Sequence, residues 1–433
     1  MTDPTNDQGA LGTRQAPPSF DPASGGRRRG DDLLTLSLML FYLLATLLLA
    51  LMAVVSTELQ EKFGLSASQI GLLTSVFMLV YGAMGIPAGS AAARWGGRVL
   101  AVSCALIVAG SLVFGLSSSY AGFFVGRILQ GLGGGMVLPV SSPVIARFLA
   151  PDRRTRGWGI FASGKGLGAL AALLLMPGVA MLGGFRAVFF ATAGLTVVIG
   201  VIALAQKPVR ELPADCSETA SLSAQGRMLG AVLTNYRVWL LGLLNASSIA
   251  IGTAVLVWTP DFLQTEYGSG VGVAAYLTAG LAVAQLVGAP CGAAGAVRLG
   301  RMVVITGSMF AMSAVAVLVP VVPGRILVFV MVALVGFFSF AYFSPRFAMI
   351  PEVVARPEHV GPATGLINLL GYGISMLAPW LFGLALDKGL GYLVAYALAA
   401  AFGLVGAFGS FFLKVGNRPA KATLVEPPAG VGE

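Results

Sequence analysis

Three basic residues stand inside apolar runs of this chain with no acid beside them: Arg127, Lys165 and Arg346. The 18 acidic residues fall in polar stretches or at the ends of apolar ones. An ionisable side chain within a lipid-spanning helix costs at least about 2.5–3.5 kcal/mol and requires a partner or a wet cavity. Without an internal carboxylate, the implied counter-charge is mobile: a small carboxylate or an inorganic oxyanion. Lys165 carries this reading best, lying about seven residues, or roughly 10 Å, into its run. Gly164, Gly166 and Gly168 are expected to open space beside it. The competing reading is a lysine that snorkels back to the headgroups. Arg127 lies about six residues into its run, roughly 9 Å deep. Solute contact, gating and a structural bond to helix carbonyls all remain open to it. For Arg346, between Pro345 and Pro351, interfacial anchoring is preferred to a part in gating or coupling. Tyr42, Asn245, Asn368 and Tyr372 complete the expected solute site as uncharged hydrogen-bonding groups, against the plain reading of interhelical bonds worth about 0.6 kcal/mol each. Trp258 with Thr259-Pro260 reads as an aromatic anchor at a membrane interface.

The whole composition agrees with a lipid solvent. Of 433 residues, 57% are hydrophobic and 10% charged, with mean hydropathy +0.86. A soluble domain carries about 25% charged residues, so a soluble enzyme is excluded. The net charge of +9 is read as the bias of a membrane protein rather than as a nucleic-acid footprint. Cys104, Cys216 and Cys291 have neither paired nor Cys-x-x-Cys spacing, and His359 is the sole histidine. No disulfide framework, metal site, cofactor or catalytic constellation is therefore expected. No Gly-x-x-x-x-Gly-Lys-Ser/Thr run is present, which argues against ATP-driven transport.

The elements that would position these residues are twelve apolar runs. They fall at 33–55, 67–90, 99–117, 121–146, 158–182, 187–206, 238–259, 271–295, 302–321, 326–350, 362–384 and 392–413. About 20 apolar residues let an α-helix cross the hydrocarbon, and runs of this length are not barrel strands. The expectation is an all-α membrane protein of twelve transmembrane helices in two pseudo-symmetric bundles. Residues 1–30 are expected to form a disordered tail, 31–206 the first bundle, 207–237 a linker, 238–413 the second bundle and 414–433 a second tail. Twenty of the Lys and Arg residues fall on the side of the tails and linker and four on the other, which predicts both termini in the cytoplasm of a cell with its inner membrane as host. The halves also repeat: Ser142-Pro143 matches Ser344-Pro345, and Pro151, Asp152 and Gly159 match Pro357, Glu358 and Gly365 at a separation of 206. Paired halves with a site between them are an architecture of secondary transporters.

Two motifs resemble the major facilitator superfamily. The loop after the second run, Gly89 to Arg98, is similar to that family's signature loop, matching at Gly89, Arg94, Gly96 and Arg98 while Ala93 replaces its acid. Arg127, Gln130 and Gly131 in the fourth run resemble its second signature, Arg-x-x-Gln-Gly-x-Gly. The resemblance implies the twelve-helix fold, alternating access for a small solute, gating or coupling roles for these residues, and a monomer. The fifth run lacks the Gly-Pro-x-x-Gly-Gly element of the family's drug-exporter branch. A proton-coupled exporter of hydrophobic drugs therefore ranks behind transport of an anion, by exchange or uniport. A non-transporting sensor or scaffold is the remaining alternative.

Overall fold

The computed structural model describes residues 25–85, 87–88, 91, 95, 97–148, 151–206, 209, 230, 232–354 and 359–413. Fourteen helices are α1 (Gly25–Ala50), α2 (Met52–Phe63), α3 (Ala67–Ala83), α4 (Arg98–Leu116), α5 (Tyr120–Phe148), α6 (Pro151–Leu204), α7 (Tyr236–Tyr267), α8 (Val271–Leu299), α9 (Arg301–Leu318), α10 (Arg325–Ala341), α11 (Phe343–Val353), α12 (Val360–Ser375), α13 (Leu377–Asp387) and α14 (Gly391–Phe411). No strand occurs among the described residues. Ten stretches are long and apolar enough to cross a membrane, and α3 is a shorter apolar helix. One of the ten, within α6, is two spans in one. Its axis breaks at Gly183 (φ −158°) and Gly184 (φ 67°, ψ −162°), a left-handed conformation that glycine adopts without a Cβ clash. Counted through that break, and with α3 included, the described residues make twelve spans.

Three spans are each built from two helices. The α10–α11 junction lies at Tyr342 and the α12–α13 junction at Met376. Proline explains both: Pro345 and Pro379 have no N–H to bond the carbonyl four residues back, and their rings crowd it. The first span is divided at Leu51 between α1 and α2, although the backbone there stays helical (φ −56°, ψ −34°). At Pro260 the chain behaves differently, because α7 continues through it to Tyr267.

Several expectations need correction here. The first helix begins at Gly25, so residues 25–30 are helical rather than tail, and α7 takes residues 236 and 237 from the expected linker. Trp258 is not an interfacial anchor. It is fully buried, stacks on Phe382 at 5.4 Å, and donates from its indole N–H to the Pro379 carbonyl at 3.1 Å. The glycines around Lys165 do not open space. Gly164 and Gly168 lie against the α1 backbone at Met39 and Leu43, and Gly166 lies against Leu286 of α8. They allow close helix approach instead.

The chain packs as helices before the linker (α1–α6) against helices after it (α7–α14). Across the halves, α3 meets α12 and α13, α6 meets α8, and α2 meets α7. An even number of spans places residues 25 and 413 at one end of the molecule, here the terminal end. At the opposite, distal end, hydrogen bonds lace the halves together. The Asp387 carboxylate accepts from the Ala67 and Ser68 backbone N–H groups at 2.8 and 2.9 Å, capping the N-terminus of α3. Gln60 donates to Asp261 at 3.2 Å, and Tyr392 donates to the other oxygen of that carboxylate at 2.8 Å. Outward faces carry large exposed apolar side chains such as Leu182, Ile326 and Phe408, as lipid contact requires.

Candidate functional site

On the terminal side of that seal a cavity of about 310 Å³ opens between the halves. It continues past Lys165, Asn245, Phe343 and Tyr372 into a smaller chamber of about 70 Å³. Helical periodicity places the lining. Asn245, Ser248, Ile249 and Gly252 form one stripe along α7, and Thr364, Asn368 and Tyr372 form another, four residues apart, along α12. Tyr42 reaches the large chamber from α1, where it stacks on Phe161 at 4.8 Å. Tyr81 lines the same chamber, and its ring meets that of Tyr372 edge-on at 4.8 Å, so an aromatic contact crosses the two halves.

Two cations face this space, one from each half. Lys165 Nζ lies 5.0 Å from the Phe340 ring centre and 5.6 Å from that of Phe343. The Arg346 guanidinium lies 5.5 Å from Phe343, on whose ring both cations bear, and 4.4 Å from Phe347. Arg346 is 0% exposed, and none of its three side-chain nitrogens has a hydrogen-bond partner. Among the described residues neither cation makes an ion pair, and no Asp, Glu or His lines either chamber. A desolvated cation–π contact contributes about 2 kcal/mol, against a penalty of several kcal/mol for each buried ion. Two like charges in one cavity repel besides.

Of the residues expected from sequence at the solute site, Lys165, Tyr42, Asn245, Asn368 and Tyr372 line the large chamber together. Arg346 joins them, which corrects its reading as an interfacial anchor. Arg127 does not line either chamber. Its side chain donates to the carbonyls of Leu73 at 3.1 Å and Leu48 at 2.8 Å and to Gln130 Oε1 at 3.1 Å, and it covers the Phe77 ring at 4.4 Å. Gln130 passes the chain of bonds to Ser111, and Gly131 abuts the Phe77 carbonyl and Val80. These residues tie α5 to α1, α3 and α4. Arg127→Leu is therefore expected to remove three buried hydrogen bonds, leave Gln130 Oε1 without its donor and destabilise the fold by about 3 kcal/mol, read as a lower melting temperature in detergent; an unchanged melt sinks the structural assignment. Arg98 is exposed at the start of α4. Gly89, Arg94 and Gly96 lie outside the described residues.

Sequence reasoning missed Tyr81, Thr364, Ser248, Gln285, Ser339 and Tyr342. The four-residue spacing of Thr364 from Asn368, and the three-residue spacing of Ser248 from Asn245, carried a signal for two of them. The bonds around Asn245 were not readable. It donates to the Ile367 carbonyl at 3.2 Å and accepts from Tyr342 at 3.1 Å, drawing α7, α12 and the α10–α11 junction together.

Comparison with known proteins agrees with the fold. The family model of the Major Facilitator Superfamily matches residues 34–379. A protein named probable anion transporter 7 from Oryza sativa subsp. japonica is 32% identical over 165 residues, 36% of this chain and 37% of that one. A probable sulfoacetate transporter from Cupriavidus necator is 23% identical over 407 residues, covering 86% and 91% of the two chains. The first four curated relatives are matched over 27% to 50% of their own lengths. The inward-facing, occupied crystal structure of a bacterial homolog of the human lysosomal transporter Spinster superposes with a TM-score of 0.72 at 19% identity, covering 90% of this chain and 97% of that one.

Proposed function

Because this chain belongs to the Major Facilitator Superfamily, we propose that it is a secondary transporter that carries a small anion, a carboxylate or an oxyanion, by alternating access. The observation that carries the reading is the pair of half-buried Lys165 and buried Arg346, which line one cavity from opposite halves with no carboxylate between them. An anion bound there bridges the halves electrostatically, so loading and the closing of the cavity are coupled. The names of the anion and sulfoacetate transporters among its relatives support the same class. In this assignment the terminal end faces the cytoplasm, as the 20-to-4 bias of basic residues favours. The sealed distal end then makes the described state inward-facing. Exchange or uniport follows most simply, since neither chamber lining holds an acid to relay a proton.

The test is a thermal-shift screen of the purified protein against small carboxylates, oxyanions and lipophilic cations. A ligand that binds only the folded state adds about 2.7 kcal/mol at a hundred times its dissociation constant. Stabilisation by the anions is expected, and stabilisation by lipophilic cations alone overturns the reading in favour of a drug exporter. Uptake of the stabilising anion into proteoliposomes separates a transporter from a sensor of the same fold.

A further inference from the structure

The two chambers differ in hydrogen-bond polarity. In the large chamber, the Lys165 ammonium and the unpartnered Arg346 guanidinium offer donors only. The small chamber shares Lys165, Asn245 and Tyr372 with the large one, while Arg346 lines the large one alone; the hydroxyls of Thr46, Ser248, Ser339 and Tyr342, which only the small chamber has, have spent their protons. Ser248 donates to the Ser339 carbonyl at 3.0 Å, and Ser339 donates to the Gly336 carbonyl at 2.8 Å. Thr46 donates to carbonyls of its own helix and of Gly164, and Tyr342 gives its proton to Asn245. Each hydroxyl oxygen keeps acceptor lone pairs after donating. Gln285, one of whose amide N–H groups reaches Ser339 Oγ at 3.4 Å, keeps its carbonyl oxygen and its second N–H. Ser248, Ser339 and Asn245 are each at most 3% exposed, so these lone pairs have the chamber as their outlet. Beyond the reach of Arg346, this cluster of lone pairs disfavours a carboxylate and suits a group that brings its own protons.

We propose that the solute is a hydroxylated small acid, bound in one orientation. Its carboxylate lies in the large chamber between Lys165 and Arg346, and its hydroxyl-bearing carbons lie in the small chamber against Ser248, Gln285 and Ser339. The proposal rests on the anion reading above and names the class of anion. A volume of about 70 Å³ admits a few water-sized groups, each needing about 10–15 Å³ by this measure; a short polyol tail fits, and a large ring does not.

The experiment compares matched pairs differing only in hydroxyls: glycerate with propanoate, and gluconate with hexanoate, with glycerol and sorbitol as neutral controls. Dissociation constants are measured on the full-length protein in detergent. The hydroxylated acid of at least one pair is expected to bind about tenfold or more tighter than its partner, as when a site built for a hydroxyl meets an analogue lacking it. Gln285→Leu or Ser248→Ala narrows that preference to about twofold or less, weakening the hydroxylated acid more than its unhydroxylated partner. Arg346→Gln weakens both members alike. Equal binding of the two members of both pairs overturns the proposal and leaves the anion reading standing. Binding of polyols or lipophilic cations with no acid bound overturns both. If Gln285→Leu does not fold, Ser248→Ala and the wild-type pairs still decide.

Discussion

Lys165→Ala is expected to abolish most solute uptake while the protein still expresses and melts at nearly its parent temperature. The two outcomes separate because Lys165 makes no hydrogen bond or ion pair among the described residues; its neighbours are the Phe340 and Phe343 rings. Removing it costs the fold only cation–π contact, and relieves its repulsion by Arg346. The loaded state loses a charge-assisted bond worth about 1.5–3 kcal/mol. Every 1.4 kcal/mol is tenfold in affinity, so binding falls by about 10- to 100-fold. Lys165→Arg keeps the charge and is expected to recover part of the loss. Arg346→Gln acts in the same direction. Because the two cations share one anion, the double variant falls by less than the product of the single effects. Normal uptake by Lys165→Ala, measured in proteoliposomes at solute below the parent KM, overturns the site.

Lys165 was legible in the sequence because a charge inside an apolar run is conspicuous and the rules for burying it are strict. Arg346 obeys the same rules but was discounted, since two prolines and a nearby run end make its position resemble an interface. Arg346 is instead 0% exposed and lies among the rings of Tyr342, Phe343 and Phe347. Trp258 was misread for a related reason. Pro260 looks like a helix stop, yet α7 passes through it, so the aromatic two residues earlier lies in the interior against Phe382. Arg127 was assigned by motif to gating as readily as to structure. The carbonyls of Leu48 and Leu73 that accept its protons come from other helices, and no spacing within its own helix reveals them. Periodicity thus locates the face of a helix. The partner of that face is a property of the packed whole, as are bends that depend on which carbonyl a proline leaves unbonded.

The second large effect belongs to the distal seal. Two glycines let α3 and α13 touch there. A Cβ on Gly71 would meet the Pro379 carbonyl carbon at 2.8 Å and Trp380 Cα at 2.9 Å, and one on Gly383 would meet the Ala67 backbone. The obstructing atoms are backbone and cannot rotate away, so a side chain at Gly71 has to push the helices apart. Alternating access requires this seal to close in one state and open in the other, with the two close in free energy. Moving such an equilibrium from 1:99 to 99:1 takes about 5.5 kcal/mol, and the clash acts on the sealed state alone. Gly71→Val is therefore expected to trap the distal-open form and lower turnover by about tenfold or more. Accessibility provides the direct check. With the native cysteines Cys104, Cys216 and Cys291 replaced, Ser75→Cys introduces a thiol beside the seal, where Ser75 is 2% exposed and donates to the Met376 carbonyl. Its labelling by a membrane-impermeant maleimide from the distal side is expected to rise about tenfold when Gly71→Val is added. Asp387→Asn, which weakens only the cap on α3, is expected to shift labelling in the same direction by less, since a carboxylate at a helix N-terminus contributes about 0.3–1 kcal/mol. Unchanged labelling in a Gly71→Val protein that melts like its parent shows that the α3–α13 contact is static, and a static contact at that place is incompatible with the rocking of two halves around a central site.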